Sequence, residues 1–198
     1  GYSTITRDYL EGTTMNNYLR SVHYADSAIG EFIKELNKKK LLDNTVLIIY
    51  GDHDARLSYN DFNLLYNYDA IENKIRTKEN DKYKPYNKYD YELDRKVPLI
   101  IWTKDKKYNI EVDTPTGMID VLSTIGNMLG IHSDYQIGHV IFSLKDKDNT
   151  VVFVDGSFLT SKVYYNAPQA EIYDIMKEGG GEEYTKERPD YATEIIEV

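Results

Sequence analysis

Apolar side chains recur every three or four positions along residues 15–40, which is the spacing of one face of an α-helix. Thr13 and Thr14 precede this stretch as candidate N-caps, and residues 38–40 are three lysines, which suit the negative end of a helix dipole. The pattern predicts a long helix whose apolar stripe consists of Met15, Tyr18, Leu19, Val22, Ile29, Phe32, Ile33 and Leu36.

Two short apolar runs predict β-strands, one at residues 45–50 and one at residues 97–102. Unbroken apolar runs of this length are typical of strands buried on both faces. A helix followed by such a strand favours an α/β fold with a parallel sheet. Pro98 must lie near the start or on an edge of its strand, because it cannot donate a backbone hydrogen bond.

Further elements follow toward the C-terminus. A second amphipathic helix is predicted from residue 117 to residue 129, ended by Gly130. A third strand is predicted at residues 150–154, and an antiparallel hairpin at residues 162–166 and 170–175.

Residues 56–96 are rich in Tyr, Asn, Asp and Lys, and we expect them to form a surface excursion with a short helix within residues 61–73. Residues 177–198 are interpreted as a tail, in which three consecutive glycines at positions 179–181 are followed by the acidic residues 182–198. With no internal repeat, residues 1–198 are interpreted as one partial domain.

Composition removes several classes of function. The chain has 198 residues, of which 33 are acidic and 24 basic, for a net charge of −9. This balance argues against a nucleic-acid partner, which normally requires a basic face. The absence of cysteine excludes disulfides, thiolate metal sites and cysteine nucleophiles. No stretch has the roughly 20 apolar residues of a membrane-spanning helix, and neither a nucleophile-elbow serine motif nor a P-loop occurs.

The strand predicted at residues 45–50 is followed by Gly51, Asp52, His53 and Asp54. In an open α/β sheet, ligands bind beyond the carboxyl ends of the strands. A carboxylate oxygen beside an imidazole nitrogen suits Zn²⁺ or Mn²⁺, but two adjacent residues cannot complete a site. The other interpretation is that Asp52 caps a loop and His53 is an ordinary exposed histidine.

His23 lies on the flank of the first predicted helix, away from the centre of its apolar stripe. Such a histidine either reaches past the helix edge toward a site or is a surface residue. His132 and His139 are predicted in loops after the second helix, and no spacing favours a role for either.

Several of these segments, taken in order, resemble the C-terminal half of the sulfatase-like domain of the alkaline phosphatase superfamily. The resemblance is strongest to lipoteichoic acid synthases and related membrane phosphoglycerol transferases of Gram-positive bacteria. It covers about residues 15–176 and is carried by residues 18–26, 42–46, 50–53, 96–101, 118–122, 129–131, 138–142 and 171–174.

This resemblance implies the C-terminal part of a three-layer α/β/α sandwich that includes a C-terminal β-hairpin. It implies that Asp52 and His53 bind a divalent metal, usually Mn²⁺, with Zn²⁺ or Mg²⁺ as alternatives, and that His23 contacts the substrate phosphate. The threonine nucleophile and an acidic metal ligand of the family are expected upstream, so no catalytic residue is assigned here. Those enzymes tend to continue the Asp-His pair with an aromatic residue and glycine, whereas Asp54 and Ala55 follow here.

The implied activity of the whole protein is metal-dependent phosphoryl or sulfuryl transfer through a covalent intermediate. It would act on an anionic phosphate or sulfate ester at the extracellular face of the cell membrane, anchored by upstream transmembrane helices. The implied partner is the missing N-terminal half of the same domain, and the chain alone is expected to self-associate through an unpaired sheet edge or apolar face. The alternative hypothesis is a non-catalytic extracellular binding or interaction module that keeps the fold.

These interpretations carry two geometric expectations. The side chains of Asp52 and His53 should point into a crevice at the carboxyl end of the strand at residues 45–50. The ring of His23 should lie within about 10 Å of the ring of His53, because one phosphate-sized ligand spans only a few ångströms.

Overall fold

A computed structural model describes residues 8–105, 109–144 and 149–174 of the protein. Its residues divide into two units, 1–109 and 110–198, each of which is described on its own. The acidic tail at residues 177–198 lies outside the described residues. That the chain is part of one domain stays a prediction, because two units can belong to one domain.

The long helix at the start of the chain is confirmed as α1 (Thr14–Lys38). Its N-cap is Thr13, whose hydroxyl oxygen accepts a hydrogen bond from the backbone N–H of Asn16 at 3.1 Å. Met15 in the first turn is fully buried, whereas Val22 and Phe32 farther along the apolar stripe are 44% and 56% exposed. The predicted apolar face therefore exists, and the described residues bury it fully at Met15 but leave much of the rest of it exposed.

The two predicted strands are present as β1 (Val46–Tyr50) and β4 (Leu99–Thr103), and they pair with each other. The pairing is antiparallel, with Val46 opposite Thr103 and Tyr50 opposite Leu99. The expectation of a parallel sheet is therefore wrong for this pair. A continuous apolar run reports burial and carries no information about strand direction.

Burial on both faces of these strands is also wrong for this chain. Val46, Tyr50 and Ile100 are 39%, 48% and 52% exposed. A sheet of two strands with one neighbouring helix has too few elements to cover both faces. The apolar runs thus encode more burial than the described residues supply.

The Tyr-rich segment contains α2 (Tyr59–Tyr66), the short antiparallel strands β2 (Tyr68–Asp69) and β3 (Lys74–Ile75), and α3 (Lys88–Asp94). The predicted short helix is therefore present, although it ends earlier than expected. Helix α3 lies where the apolar pattern indicated no element. This segment also supplies Leu57, Phe62 and Tyr86 to a buried hydrophobic cluster of the first unit, in which Leu10 and Met15 are the other described members.

Tyrosine hydroxyl groups stabilise this segment through hydrogen bonds within it. Both Tyr66 and Tyr86 donate to the carboxylate of Asp94, at 3.2 and 3.0 Å. Burial raises the pKa of the Tyr86 hydroxyl well above its ordinary value, and the hydrogen bond to Asp94 adds to that shift. Tyr86 thus stays a neutral hydrogen-bond donor over the whole physiological pH range.

In the second unit, α4 (Ile119–Leu129) confirms the second predicted helix, and Gly130 ends it with a φ of 68°. An antiparallel sheet follows in the order β5 (Val151–Val152), β6 (Phe158–Leu159), β7 (Val163–Asn166) and β8 (Glu171–Asp174). Strands β7 and β8 form the predicted C-terminal hairpin. Phe158 and Val163 are fully buried at the centre of this sheet.

Asp120 anchors the second unit from the first turn of α4. Its carboxylate is 2% exposed and accepts hydrogen bonds from the backbone N–H groups of Gly117 and His139, each at 2.8 Å. One buried carboxylate therefore fixes both the entry to the helix and the loop at His139.

No described helix is long and apolar enough to cross a membrane.

We expect Asp120→Ala to lower the free energy of unfolding by about 1–3 kcal/mol, because two backbone N–H groups lose a buried carboxylate acceptor. Urea denaturation followed by circular dichroism measures the change. Asp134→Ala is the matched control, since that carboxylate is 93% exposed and its loss should cost less than about 0.5 kcal/mol. Equal losses in the two variants would contradict the anchoring role of Asp120.

Candidate metal centre

The loop that carries the candidate ligands begins at a tight contact with the strand that returns beside it. The N–H of Gly51 donates to the carbonyl of Pro98 at 3.2 Å. A Cβ added to Gly51 would lie 2.8 Å from the Cβ of Val97. Only glycine fits this approach without displacing Val97, so the residue fixes where the chain leaves β1.

Asp52 and His53 follow at the carboxyl end of β1, and both side chains reach solvent. The Asp52 side chain is 87% exposed and that of His53 is 55% exposed, with Asp52 Oδ1 and His53 Nε2 at 3.8 Å from each other. Exposure of both side chains agrees with the metal-ligand interpretation and with the alternative of a loop cap and an ordinary surface histidine. That they point into a crevice and bind metal stays a prediction.

The tautomer of His53 follows from its neighbour. His53 Nδ1 lies 2.6 Å from the backbone carbonyl oxygen of Asp54. A carbonyl oxygen only accepts, so Nδ1 carries the hydrogen and the neutral ring keeps its lone pair on Nε2. This is the arrangement in which a histidine is held ready to bind a metal through Nε2.

The donor set therefore fits half of a divalent-metal site. A neutral Nε2 and a carboxylate oxygen are two acceptors at 3.8 Å, and a cation between them would satisfy both. Within residues 8–105, 109–144 and 149–174, no group of three histidine or acidic side chains is arranged to hold a metal ion. A metal site at this position would need further ligands from outside these residues.

Asp54 is engaged elsewhere. Its Oδ2 accepts a hydrogen bond from Arg95 Nε at 2.5 Å, and its Oδ1 accepts one from the backbone N–H of Arg56 at 3.2 Å. The hydrogen bond from Arg95 holds the pKa of the Asp54 carboxyl below its ordinary value. Asp54 is thus an anion paired with a guanidinium, and its carboxylate is already occupied and not counted among the candidate metal ligands.

His23 lies in the middle of α1 and is partly exposed, which agrees with its position on the flank of the apolar stripe. The hydroxyl of Ser27, one turn further on, donates to the backbone carbonyl of His23 at 2.9 Å. Its contact with phosphate and its distance from the His53 ring stay predictions.

An apolar groove of about 310 Å³ runs between α1 and β1. It is lined on the helix side by Ile29, Phe32 and Ile33 and on the strand side by Leu47, Ile48, Ile49 and Tyr50. Neither Asp52, His53 nor His23 lines it. The groove is an apolar surface beside the candidate centre and not the ligand crevice.

Arg95 and Tyr91 contact the loop that carries the candidate ligands, at Asp54 and Leu57, and the apolar pattern did not identify either. Both belong to α3 and its C-cap, a helix without an apolar stripe. A different signal was available, because Asn87 and Asp90 form a capping box at its start. That spacing marks a helix N-terminus even where hydrophobic periodicity is weak.

Comparisons with known proteins agree with the resemblance drawn from the motifs. A family model described as Sulfatase matches residues 2–131. Lipoteichoic acid synthase 1 of Bacillus subtilis is 34% identical over 163 residues, which cover 81% of this chain and 23% of that protein. Lipoteichoic acid synthase of Staphylococcus aureus is 31% identical over 166 residues, with 82% and 23% covered.

The crystal structure of the lipoteichoic acid synthase LtaP from Listeria monocytogenes is also similar, with a TM-score of 0.63 and 22% identity. The alignment covers 95% of this chain and 45% of that one. This likeness confirms the predicted α/β class and its sulfatase-like architecture. The chain spans about a quarter of the length of the curated relatives it matches.

We expect Gly51→Ala to lower the free energy of unfolding by about 1–3 kcal/mol, because its Cβ overlaps Val97. Gly30→Ala is the matched control, since a Cβ there meets nothing within 4 Å and alanine gains up to about 1 kcal/mol inside a helix. Chemical denaturation of the two variants measures the difference. Equal stability of both would show that the Gly51 contact yields without cost.

Proposed function

Because this chain belongs to the Sulfatase family, we propose that it forms the C-terminal part of a metal-dependent phosphoglycerol transferase or sulfatase-like enzyme. The enzyme transfers a phosphoryl or sulfuryl group through a covalent intermediate. The observation that carries the proposal is the Asp52–His53 pair, exposed at the end of β1 with the lone pair of His53 on Nε2.

The roles of the residues follow from their chemistry. Asp52, through its carboxylate, and His53, through Nε2, hold Mn²⁺, with Zn²⁺ or Mg²⁺ as alternatives. When bound, the metal lowers the proton affinity of the attacking hydroxyl and stabilises charge on the transferring group. His23 donates a hydrogen bond to the substrate phosphate. The nucleophile is assigned to no residue of this chain.

The substrate class is an anionic phosphate ester, with a sulfate ester as the alternative. The relatives are named as lipoteichoic acid synthases, which supports phosphoglycerol transfer. The extracellular face of the cell membrane is the proposed location, with anchoring by segments outside this chain. We assign no nucleic-acid partner, in keeping with the net charge of −9.

A non-catalytic binding module is the second candidate. It is favoured by one observation, which is that only two candidate ligands meet at the centre among the described residues. Reading the gene on the 5′ side of the Gly1 codon distinguishes the candidates. A threonine within a metal-binding motif there favours the enzyme, and its absence favours the module.

The proposed partner of the chain is the remaining part of the same domain. Ile29 and Phe32 of α1 line the groove beside β1 and are 40% and 56% exposed, and Val22, two turns earlier on the same helix, is 44% exposed. A contiguous apolar surface of this kind normally marks an interface. More than half of the LtaP chain lies outside the matched region, which is consistent with a further part of the domain packing on this face.

We expect Phe32→Glu to weaken binding of a separately produced upstream half at least about tenfold, because a charge would enter a desolvated contact. Titration calorimetry measures the affinity. Ile71→Glu is the matched control, since Ile71 is 93% exposed on the β2–β3 turn. Undiminished binding by Phe32→Glu would overturn this face as the interface, and a loss of self-association alone would identify a second copy as its occupant.

We expect the 198-residue chain, supplied with Mn²⁺, to turn over neither a chromogenic phosphodiester nor a sulfate ester, because two ligands and no activated hydroxyl are present. Mixing with the upstream half should restore turnover, and His53→Ala should abolish it. His132→Ala, at an imidazole that is 76% exposed in the second unit, is the matched control and should leave turnover unchanged. Turnover by the chain alone that His53→Ala removes would contradict the assignment as half of a site. A folded mixture without turnover would favour the binding module.

A further inference from the structure

We propose that Arg95 is a positioning residue for the candidate metal centre, acting through Asp54 on the orientation and tautomer of His53. The inference rests on the proposed function only where it treats Asp52 and His53 as metal ligands. On this proposal, α3 of the Tyr-rich segment stabilises the loop that carries Asp52 and His53.

The contact chain begins at the imidazole. His53 Nδ1 donates to the backbone carbonyl of Asp54 at 2.6 Å. The ring orientation therefore depends on where the Asp54 peptide group points. Since His53 is more than half exposed and lacks a packed pocket, this hydrogen bond is the main described restraint on its ring.

Asp54 is in turn held through its side chain. Arg95 Nε donates to Oδ2, and the backbone N–H of Arg56 donates to Oδ1. Arg56 itself has a φ of 51°, in the left-handed region that a side chain disfavours. A loop that includes such a residue needs outside contacts to keep its shape, and the Arg95–Asp54 ion pair is one of them.

Arg95 is well placed to act as an anchor. It is the C-cap of α3, where its Nη1 donates to Glu92 at 2.8 Å and its guanidinium lies 5.9 Å from the ring centroid of Tyr91. These contacts orient the guanidinium plane independently of its hydrogen bond to Asp54. A lysine would keep the charge but lose this planar fork.

The same helix contacts the far end of the loop. The Tyr91 hydroxyl donates to the backbone carbonyl of Leu57 at 3.0 Å, and Leu57 is buried in the core of the first unit. Helix α3 thus holds the loop at Asp54 and at Leu57, on either side of the strained Arg56. A brace at two points restrains the peptide groups between them.

Partners that orient a metal ligand typically change metal affinity 10–100-fold when removed. We expect Arg95→Ala to weaken binding of Mn²⁺ about tenfold while the chain stays folded. The neutral His53 ring should lose its preference for the Nδ1–H tautomer. Arg95→Lys should recover part of both properties.

The experiment uses the whole 198-residue chain at about pH 8.5, where imidazole side chains are ordinarily neutral. Imidazole ¹⁵N shifts report the His53 tautomer without any metal. Broadening of the His53 signals by Mn²⁺ reports even weak binding. Arg76→Ala is the matched control, because Arg76 forms an ion pair with Asp69 at 3.0 Å in the same segment, away from this loop.

The proposal is supported if Arg95→Ala shifts the tautomer and weakens Mn²⁺ binding while Arg76→Ala does neither. An unchanged tautomer in a folded Arg95→Ala chain would overturn it. If Arg95→Ala does not fold, Asp54→Asn tests the same link from its other end and must give the same shift. Wild-type His53 signals that Mn²⁺ leaves sharp would count against the proposed metal centre, whereas the tautomer measurement would still decide the role of Arg95.

Discussion

The register in which β1 pairs with β4 is the constraint on which the first unit depends. Tyr50 stands opposite Leu99, so the chain leaves the sheet and returns to it at one place. Everything between these residues is a closed excursion whose two ends touch. Gly51 meets Val97 and Pro98 for that reason, and Arg95, although 41 positions away in sequence, reaches Asp54. Had the strands been parallel, the returning chain would have entered at the other end of β1 and left the ligand loop unsupported.

Closing this long excursion costs little more conformational entropy than closing a short loop would, since each doubling of loop length adds only about 0.6 kcal/mol. The excursion offsets that cost by folding on its own side chains. Leu57, Phe62 and Tyr86 are buried, and burying a large apolar side chain contributes about 1.5–3 kcal/mol. Tyrosine rings of the excursion contact one another, and their hydroxyl groups donate to backbone and carboxylate acceptors, while Tyr59 and Tyr66 stay 36% and 37% exposed.

Local pattern was enough to predict what depends on local chemistry. Helix α1, its Thr13 cap, the Gly130 terminus and the positions of β1 and β4 all follow from periodicity or short motifs. The direction of the β1–β4 pair could not be predicted, because both orientations bury the same apolar run. The Arg95–Asp54 contact could not be predicted from the sequence either, since it depends on the register of the β1–β4 pair. At the candidate centre, the sequence singled out Asp52 and His53, whereas the contacts from Arg95 and Tyr91 to the same loop could be found only from the fold.

Because the candidate ligands are exposed, metal binding on the proposed function would depend on covering the apolar face of α1 and β1. With side chains 87% and 55% exposed and two donors between them, Asp52 and His53 can bind a cation only weakly, since water competes for every remaining position. On the proposed function, covering the face of α1 and β1 would bring the remaining donors to the end of β1 in the same step. Burial of Val22, Ile29 and Phe32 would then supply free energy for assembly, and metal binding would depend on it. The brace at Arg95 acts before this step, because a ring already held in one tautomer loses less freedom when the remaining ligands arrive.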